Sequence, residues 1–212
     1  MIYLTPFGYD PSHVISGIVE KGITDQDTVV LVIPEKNLGD SQFKGGKQEI
    51  EKFLDQVGKP DLEILSVDHS NFQEATLEIS NFISEAGEKI FLNASQAARE
   101  ILIATLLACL FQRDKIEDFT IYSNVDRKNL DAELPYPVKL TGDQKNLLKT
   151  IQEGITISEL AEKLDMDKST ASRRIKKLKE NHLVRTEKDG RKKIIQLSFT
   201  GKICQISFSK SH

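Results

Sequence analysis

The chain predicts an α/β domain with a mostly parallel sheet, followed by a C-terminal winged helix-turn-helix. Three observations carry this reading. Through residue 122, strand-length apolar runs alternate with amphipathic helical segments. Residues 155–197 hold two short amphipathic helices, a tight turn and a hairpin. The net charge of −3 also hides a division: residues 1–138 carry 12 basic against 23 acidic side chains, and residues 139–212 carry 17 against 9. An acidic front part joined to a basic rear part keeps the first off phosphate backbones and directs the second towards them.

In the front part, residues 2–5 read as a short apolar strand. Asp10-Pro11 then supplies an N-cap with proline at the first helical position, opening a helix through Val14, Ile15, Ile18 and Val19. Residues 28–33, TVVLVI, are a continuous β-branched run, the mark of a strand covered on both faces. Ile50, Phe53, Leu54 and Val57 mark the next helix, residues 62–67 a third strand, and Phe72, Leu77, Ile79, Phe82 and Ile83 a third helix. Residues 89–92 form a fourth strand, 97–111 a helix that is apolar on most sides, 119–122 a fifth strand and 138–140 a sixth. Core burial accounts for the apolar helix, and a subunit interface would use its extra face. The front domain spans 1–130, a proline-punctuated and stiff linker 131–140, and the rear domain 141–212.

Ligands of such sheets collect outside the carboxyl ends of the strands. Two loops are expected there, Thr5-Pro6-Phe7-Gly8-Tyr9 after the first strand and residues 93–99, NASQAAR, after the fourth. The second combines small residues with Arg99 in the first turns of a helix, whose amino end favours anions. No GxGxxG follows the first strand, which argues against a nicotinamide or flavin cofactor. A turn glycine and a surface arginine are the plainer readings of Gly8 and Arg99.

In the rear part, Ile157, Leu160, Ala161 and Leu164 recur at helical spacing, as do Ala171, Ile175, Leu178 and His182. Asp165-Met166-Asp167-Lys168 turns between the two helices, with Asp167 capping the second. Its outer face carries Ser169, Thr170, Arg173, Lys176 and Lys177, flanked by Lys168 and Arg174. Hydroxyls, guanidinium and ammonium groups suit base edges and phosphates of double-stranded DNA. Residues 183–187 and 193–197 pair as a wing through Lys188-Asp189-Gly190-Arg191, a cationic tip completed by Lys192. A winged helix that binds protein instead is the alternative.

Cys109 and Cys204 stand far apart without CxxC or Cys/His spacing, which argues against a disulfide framework and a metal site. Cys109 reads as packing, and His13 and His69 as surface or capping residues. No signal segment opens the chain and no apolar run reaches membrane-spanning length, so a cytoplasmic protein without membrane contact is expected.

The segment SELAEKLDMDKSTASRRIKKLKENHLV is similar to the core of bacterial and archaeal regulators of the MarR and ArsR kind. A Rossmann-like front domain with strand-end TPFGYD and NASQAAR motifs, fused to that segment, resembles the CRISPR-associated CARF plus winged-helix transcription regulators of archaea, over nearly the whole chain. The resemblance implies a role in antiviral defence and a homodimer. Its effector would be a cyclic oligoadenylate, typically cyclic tetra-adenylate, bound across the two-fold axis, with no other cofactor. It implies that Thr5, Pro6, Phe7, Gly8 and Tyr9 line one part of the pocket, and that Asn93, Ala94, Ser95, Gln96 and Arg99 form another. Lys44 and Lys47, beside Gly45-Gly46, would close over phosphates, with solvated lysines as the alternative. Ala97 stands where such proteins often carry glycine, and its methyl would crowd a phosphate. Some relatives cleave the ring through a ribose 2′-hydroxyl, a slow metal-independent reaction that Ser95 and Arg99 would support. No His or carboxylate pair in the sequence converges on these loops to drive acid–base catalysis. Three readings stay open: a ligand-responsive regulator, a slow ring nuclease, and a DNA-binding dimer without a ligand.

Overall fold

The computed structural model describes residues 1–151, 154–190 and 192–209. The chain divides into two compact units, Met1–Leu134 and Pro135–His212.

The first unit runs β1 (Ile2–Pro6), α1 (Ser12–Lys21), β2 (Thr28–Pro34), a 3-10 turn (Glu35–Gly39), α2 (Ser41–Leu54), β3 (Asp61–Val67), α3 (Phe72–Glu85), β4 (Ile90–Asn93), α4 (Arg99–Phe111), β5 (Ile116–Ser123) and β6 (Lys128–Asp131). The strands order as β3-β2-β1-β4-β5-β6. The first five are parallel, and β6 pairs antiparallel with β5, Ile121 facing Leu130. The sixth strand is therefore 128–131 and not 138–140. The tight hairpin brings 128–131 directly beside β5, whereas Val138 and Leu140 are drawn to a different core.

Every residue from Val29 to Ile33 is fully buried because helices cover both faces of the sheet. Tyr3, Val29, Leu31, Ile33 and Phe91 pack with Val14 and Ile18 of α1 and Phe43, Ile50 and Leu54 of α2. Leu4, Val30, Val32, Ile90 and Leu92 pack with Ile79 and Ile83 of α3 and Ile101, Ala104 and Ala108 of α4. Each such Val, Leu or Ile contributes roughly 1.5–3 kcal/mol relative to exposure. Cys109 belongs to the second cluster, where burial pushes its thiol up to about 12.

Three local expectations shift. α1 starts at Ser12, one residue late, and Asp10 Oδ1 accepts from the Ser12 N–H at 2.9 Å. α4 starts at Arg99, leaving Ala97 and Ala98 in the preceding loop. His13 is not a surface residue: it is 0% exposed, its Nε2 stands 3.4 Å from the Pro6 carbonyl, and burial pushes its pKa down. The helical period that buries Val14 and Ile18 also turns position 13 inward under the β1 loop.

In the second unit, α5 (Gly142–Thr150) and α6 (Ile157–Lys163) open with capping boxes, Thr141 with Gln144 and Thr156 with Glu159. Then come α7 (Lys168–Glu180), β7 (Val184–Asp189), β8 (Lys192–Leu197) and α8 (Phe199–Ser209). Leu148, Leu160, Leu178 and Leu183 are fully buried in one core. α5 and α8 are additions to the expected layout. His182 was expected to continue the buried face of α7, but the helix ends at Glu180. His182 takes a left-handed φ of 55° and lies exposed beyond it. Among the described residues, no helix is long and apolar enough to cross a membrane.

Candidate ligand cavity and nucleic-acid interface

A cavity of about 430 Å³ opens where β1, β2 and β4 end. β1 sits centrally, with β2 on one side and β4 on the other, so the chain leaves these strands in diverging directions and a crevice results. Its walls are Gly8, Tyr9 and Asp10 after β1, Pro34 at the end of β2 with Lys36 and Asn37 beyond it, and Gln96, Ala97 and Ala98 after β4. The loops are tied by backbone bonds: Phe7 N donates to Val32 O at 2.9 Å and Gly8 N to Gln96 O at 3.1 Å. Gly46 of α2 backs the first loop, where a Cβ would stand 2.3 Å from the Tyr9 carbonyl oxygen.

Of the residues expected at the ligand, Gly8, Tyr9 and Gln96 line the cavity. Thr5, Pro6, Phe7, Asn93, Ala94 and Ser95 are buried. Asn93 Nδ2 donates to the Tyr3 hydroxyl at 2.8 Å and to the His13 carbonyl at 3.3 Å. Ser95 Oγ donates to Asn93 Oδ1 and accepts from the Tyr122 N–H at 2.9 Å. These side chains brace the loops from behind. Arg99 is exposed as the first residue of α4. Lys44 and Lys47 lie within helix α2, not in a glycine-rich loop, and Lys47 pairs with Glu51 one turn on.

Pro34, Lys36, Asn37 and Asp10 are wall residues that sequence reading misses. The sign that points to them is the position of TVVLVI: a strand buried on both faces neighbours the central strand, so the loop after it shares the crevice. Asp10 and Lys36 give the cavity one charge of each sign. The Asp10 carboxyl is held below its usual range by hydrogen bonds from the Ser12 hydroxyl and N–H.

On the second unit, the start of α7 is ordered by one carboxylate. Asp167 Oδ1 accepts from Thr170 N at 2.8 Å and Ser169 Oγ at 2.5 Å, and Oδ2 accepts from Thr170 Oγ1 at 2.7 Å. Arg173 Nη2 donates to Thr170 Oγ1 at 3.2 Å. With its proton committed to Asp167, the exposed Ser169 hydroxyl can accept from donors such as base amines, whereas the Thr170 hydroxyl already accepts from Arg173. Lys168, Ser169, Arg173, Lys176 and Lys177 are exposed, and Thr170 and Arg174 half-buried. Arg174 Nη2 lies 3.9 Å from Asp143 and Lys176 Nζ 3.9 Å from Glu180. Lys188 and Lys192 stand exposed on the wing, and Arg191 lies outside the described residues.

Residues 1–132 match the family model of the Csa3 CRISPR-associated Rossmann-like domain, and residues 144–185 match a winged helix-turn-helix DNA-binding model. No curated protein matches the sequence. Csm6 of Enterococcus italicus, solved bound to cyclic hexa-2′-fluoro-hexa-dAMP, is 15% identical over 84% of this chain and 50% of its own, with a TM-score of 0.51, a likeness of fold. A MarR family protein from Bacillus stearothermophilus is 22% identical over 33% of this chain and 51% of its own, with a TM-score of 0.32. AF1382 from Archaeoglobus fulgidus is 27% identical over 33% of this chain and 85% of its own, with a TM-score of 0.30. This chain thus spans about half the length of the MarR and Csm6 proteins. The Rossmann-like match covers most of the chain and the winged-helix match follows it directly, so the protein belongs to the Csa3 family, a CRISPR-associated Rossmann-like (CARF) domain followed by a winged helix-turn-helix.

Proposed function

We propose that this protein is a cytoplasmic transcription regulator that holds promoter DNA with its winged helix and senses a cyclic oligoadenylate, cyclic tetra-adenylate by family expectation, at its CARF domain. The observation that carries the reading is the cavity at the ends of β1, β2 and β4, walled by Tyr9, Asp10, Lys36 and Gln96. A base stacks on Tyr9, and Lys36 supplies a cation for phosphate. The cyclic oligonucleotide held by Csm6 of Enterococcus italicus supports this class of ligand. The cationic outer face of α7 supports the DNA partner.

A homodimer completes the reading. α4 leaves Ile103 50% and Phe111 70% exposed, and Ile121 and its cross-strand partner Leu130 stand 41% and 42% exposed, apolar surface suited to a second copy. A ligand shifts an equilibrium only through its differential affinity for the two states, and a site shared by two subunits supplies that difference.

Native mass measured with and without cyclic tetra-adenylate tests stoichiometry and occupancy together, and promoter retention tests the response. A ring bound intact that alters retention supports the sensor. Linear product would favour the nuclease, and absence of binding would leave a DNA-binding dimer. Ring cleavage draws no support from Ser95, which is 7% exposed and bonded to Asn93 and Tyr122.

A further inference from the structure

One polar side chain in the cavity at the ends of β1, β2 and β4 is left over by the fold. Asn37, in the 3-10 turn after β2, is only 6% exposed, yet it forms part of the cavity wall. Among the described residues its amide has no hydrogen-bond partner. The buried side-chain atoms sealed away from every partner are His13 Nδ1 and Thr120 Oγ1, not those of Asn37, so this amide opens into the cavity. Its polar neighbours on the wall are engaged: Gln96 Nε2 donates to Asn124 Oδ1, and Asp10 Oδ1 accepts from the Ser12 N–H at 2.9 Å. A mostly buried amide that nothing in the protein answers points to a ligand that completes it.

Asp40 ties Asn37 to Tyr9. Its N–H donates to the Asn37 carbonyl at 3.0 Å, and its Oδ2 accepts from the Tyr9 hydroxyl at 3.4 Å. Asp40 is itself fixed as the N-cap of α2, where Oδ1 accepts from the Gln42 N–H at 2.7 Å. An aromatic platform and an unanswered amide thus share one anchor, while Pro34, Ala97 and Ala98 supply apolar wall. An aromatic ring stacks on the face of any base, whereas an amide, with one donor side and one acceptor side, reads an edge. On adenine, N6 donates and N7 accepts side by side, and an Asn amide meets both at once. Guanine presents two acceptors on the same edge, and pyrimidines have no N7.

We propose that Asn37 is the residue that selects adenine: its Oδ1 accepts from N6, and its Nδ2 donates to N7, of a base stacked on Tyr9. The assignment rests on the reading of this cavity as a cyclic oligoadenylate site. It adds which edge of the base is read and by which side chain, so the ring is chosen by its bases and not by its phosphates alone.

The test is calorimetric titration of the full-length protein with cyclic tetra-adenylate and with the same ring built from 7-deaza-adenosine, in which a C–H group replaces N7. Wild-type protein is expected to bind the 7-deaza ring about fivefold or more weakly, the loss of one hydrogen bond to each base that is read. Asn37→Ala should bind the natural ring more weakly and should hold the two rings equally. Asn37→Asp, which keeps the volume of the side chain, should also lose the preference for the natural ring, because an acceptor oxygen then faces N7. Equal binding of both rings by the wild-type protein, or the wild-type preference retained in either variant, would overturn the role of Asn37 and leave the cavity as the ligand site. Wild-type protein that binds neither ring would overturn the ligand reading, and the selection of adenine with it.

Discussion

The ring of Tyr136 lies flat on the imidazole of His182, with centroids 3.6 Å apart and planes 3° from parallel. His182 is the left-handed residue just beyond α7, and its carbonyl accepts from Ser198 Oγ at 2.6 Å. The Tyr136 N–H donates to Thr200 Oγ1 at 3.0 Å. The segment that enters the winged-helix unit is thus fastened to the carboxyl end of the helix whose outer face would meet DNA.

Tyr136→Ala should therefore lower the unfolding free energy of this unit by about 0.5–1.5 kcal/mol beyond the lost buried area, the usual contribution of an aromatic pair. Tyr136→Phe should keep nearly all of it. Urea denaturation of the full chain reads the difference, and equal losses in the two variants would move the effect from the stack to the hydroxyl.

Gly17 is expected to tolerate no side chain. A Cβ there would stand 2.0 Å from the Tyr3 hydroxyl and 2.7 Å from Asn93 Nδ2, inside the polar network that braces the β4 loop. Gly17→Ala should cost about 1–3 kcal/mol by overpacking. Gly39→Ala, where a Cβ meets nothing within 4 Å, serves as the control in thermal melts.

Asp167 should give the winged helix an acid-sensitive start. Its carboxyl is held well below the usual carboxylate range, first by the Ser169 hydroxyl and then by the Thr170 hydroxyl and N–H. A folded-state pKa depressed in this way contributes stability that is fully present above the unfolded value, about 3.9, and lost as pH falls towards the folded one. The stability advantage of wild type over Asp167→Ala, read by urea denaturation followed through helix content, should be constant from pH 6 down to about 4 and shrink as pH falls towards about 2. Parallel curves would remove Asp167 from the acid response.

Lys36→Ala should weaken cyclic tetra-adenylate binding by roughly five- to tenfold, the loss of one partly exposed charge-assisted contact of about 1–1.5 kcal/mol. Lys47→Ala, whose ammonium is already paired with Glu51, should change it far less. Calorimetry distinguishes them, and the reverse ranking would place the phosphates over α2.

Much of the fold is legible in local patterns. TVVLVI announces a strand buried on both faces, and Asp167 marks the start of α7, because capping and periodicity act within a few residues. The site is less so. Ser95 and Asn93 look like ligand contacts because they are polar and follow a strand, yet their hydrogen bonds run to Tyr122 and Tyr3, partners that only the packed sheet brings within reach. His13 and His182 exchange expectations for the same reason: one is drawn under the β1 loop, while the other is left outside when α7 stops at Glu180.

By itself the sequence determined the α/β alternation, the winged helix and the division of charge between them, since each is written in spacing or composition. Tertiary structure decided which side chains share a cavity: Lys36 joins Tyr9 and Gln96 there, and Lys47 turns to Glu51. Strand order places loops from β1, β2 and β4 side by side, and strand order is a long-range property that no local window of sequence carries.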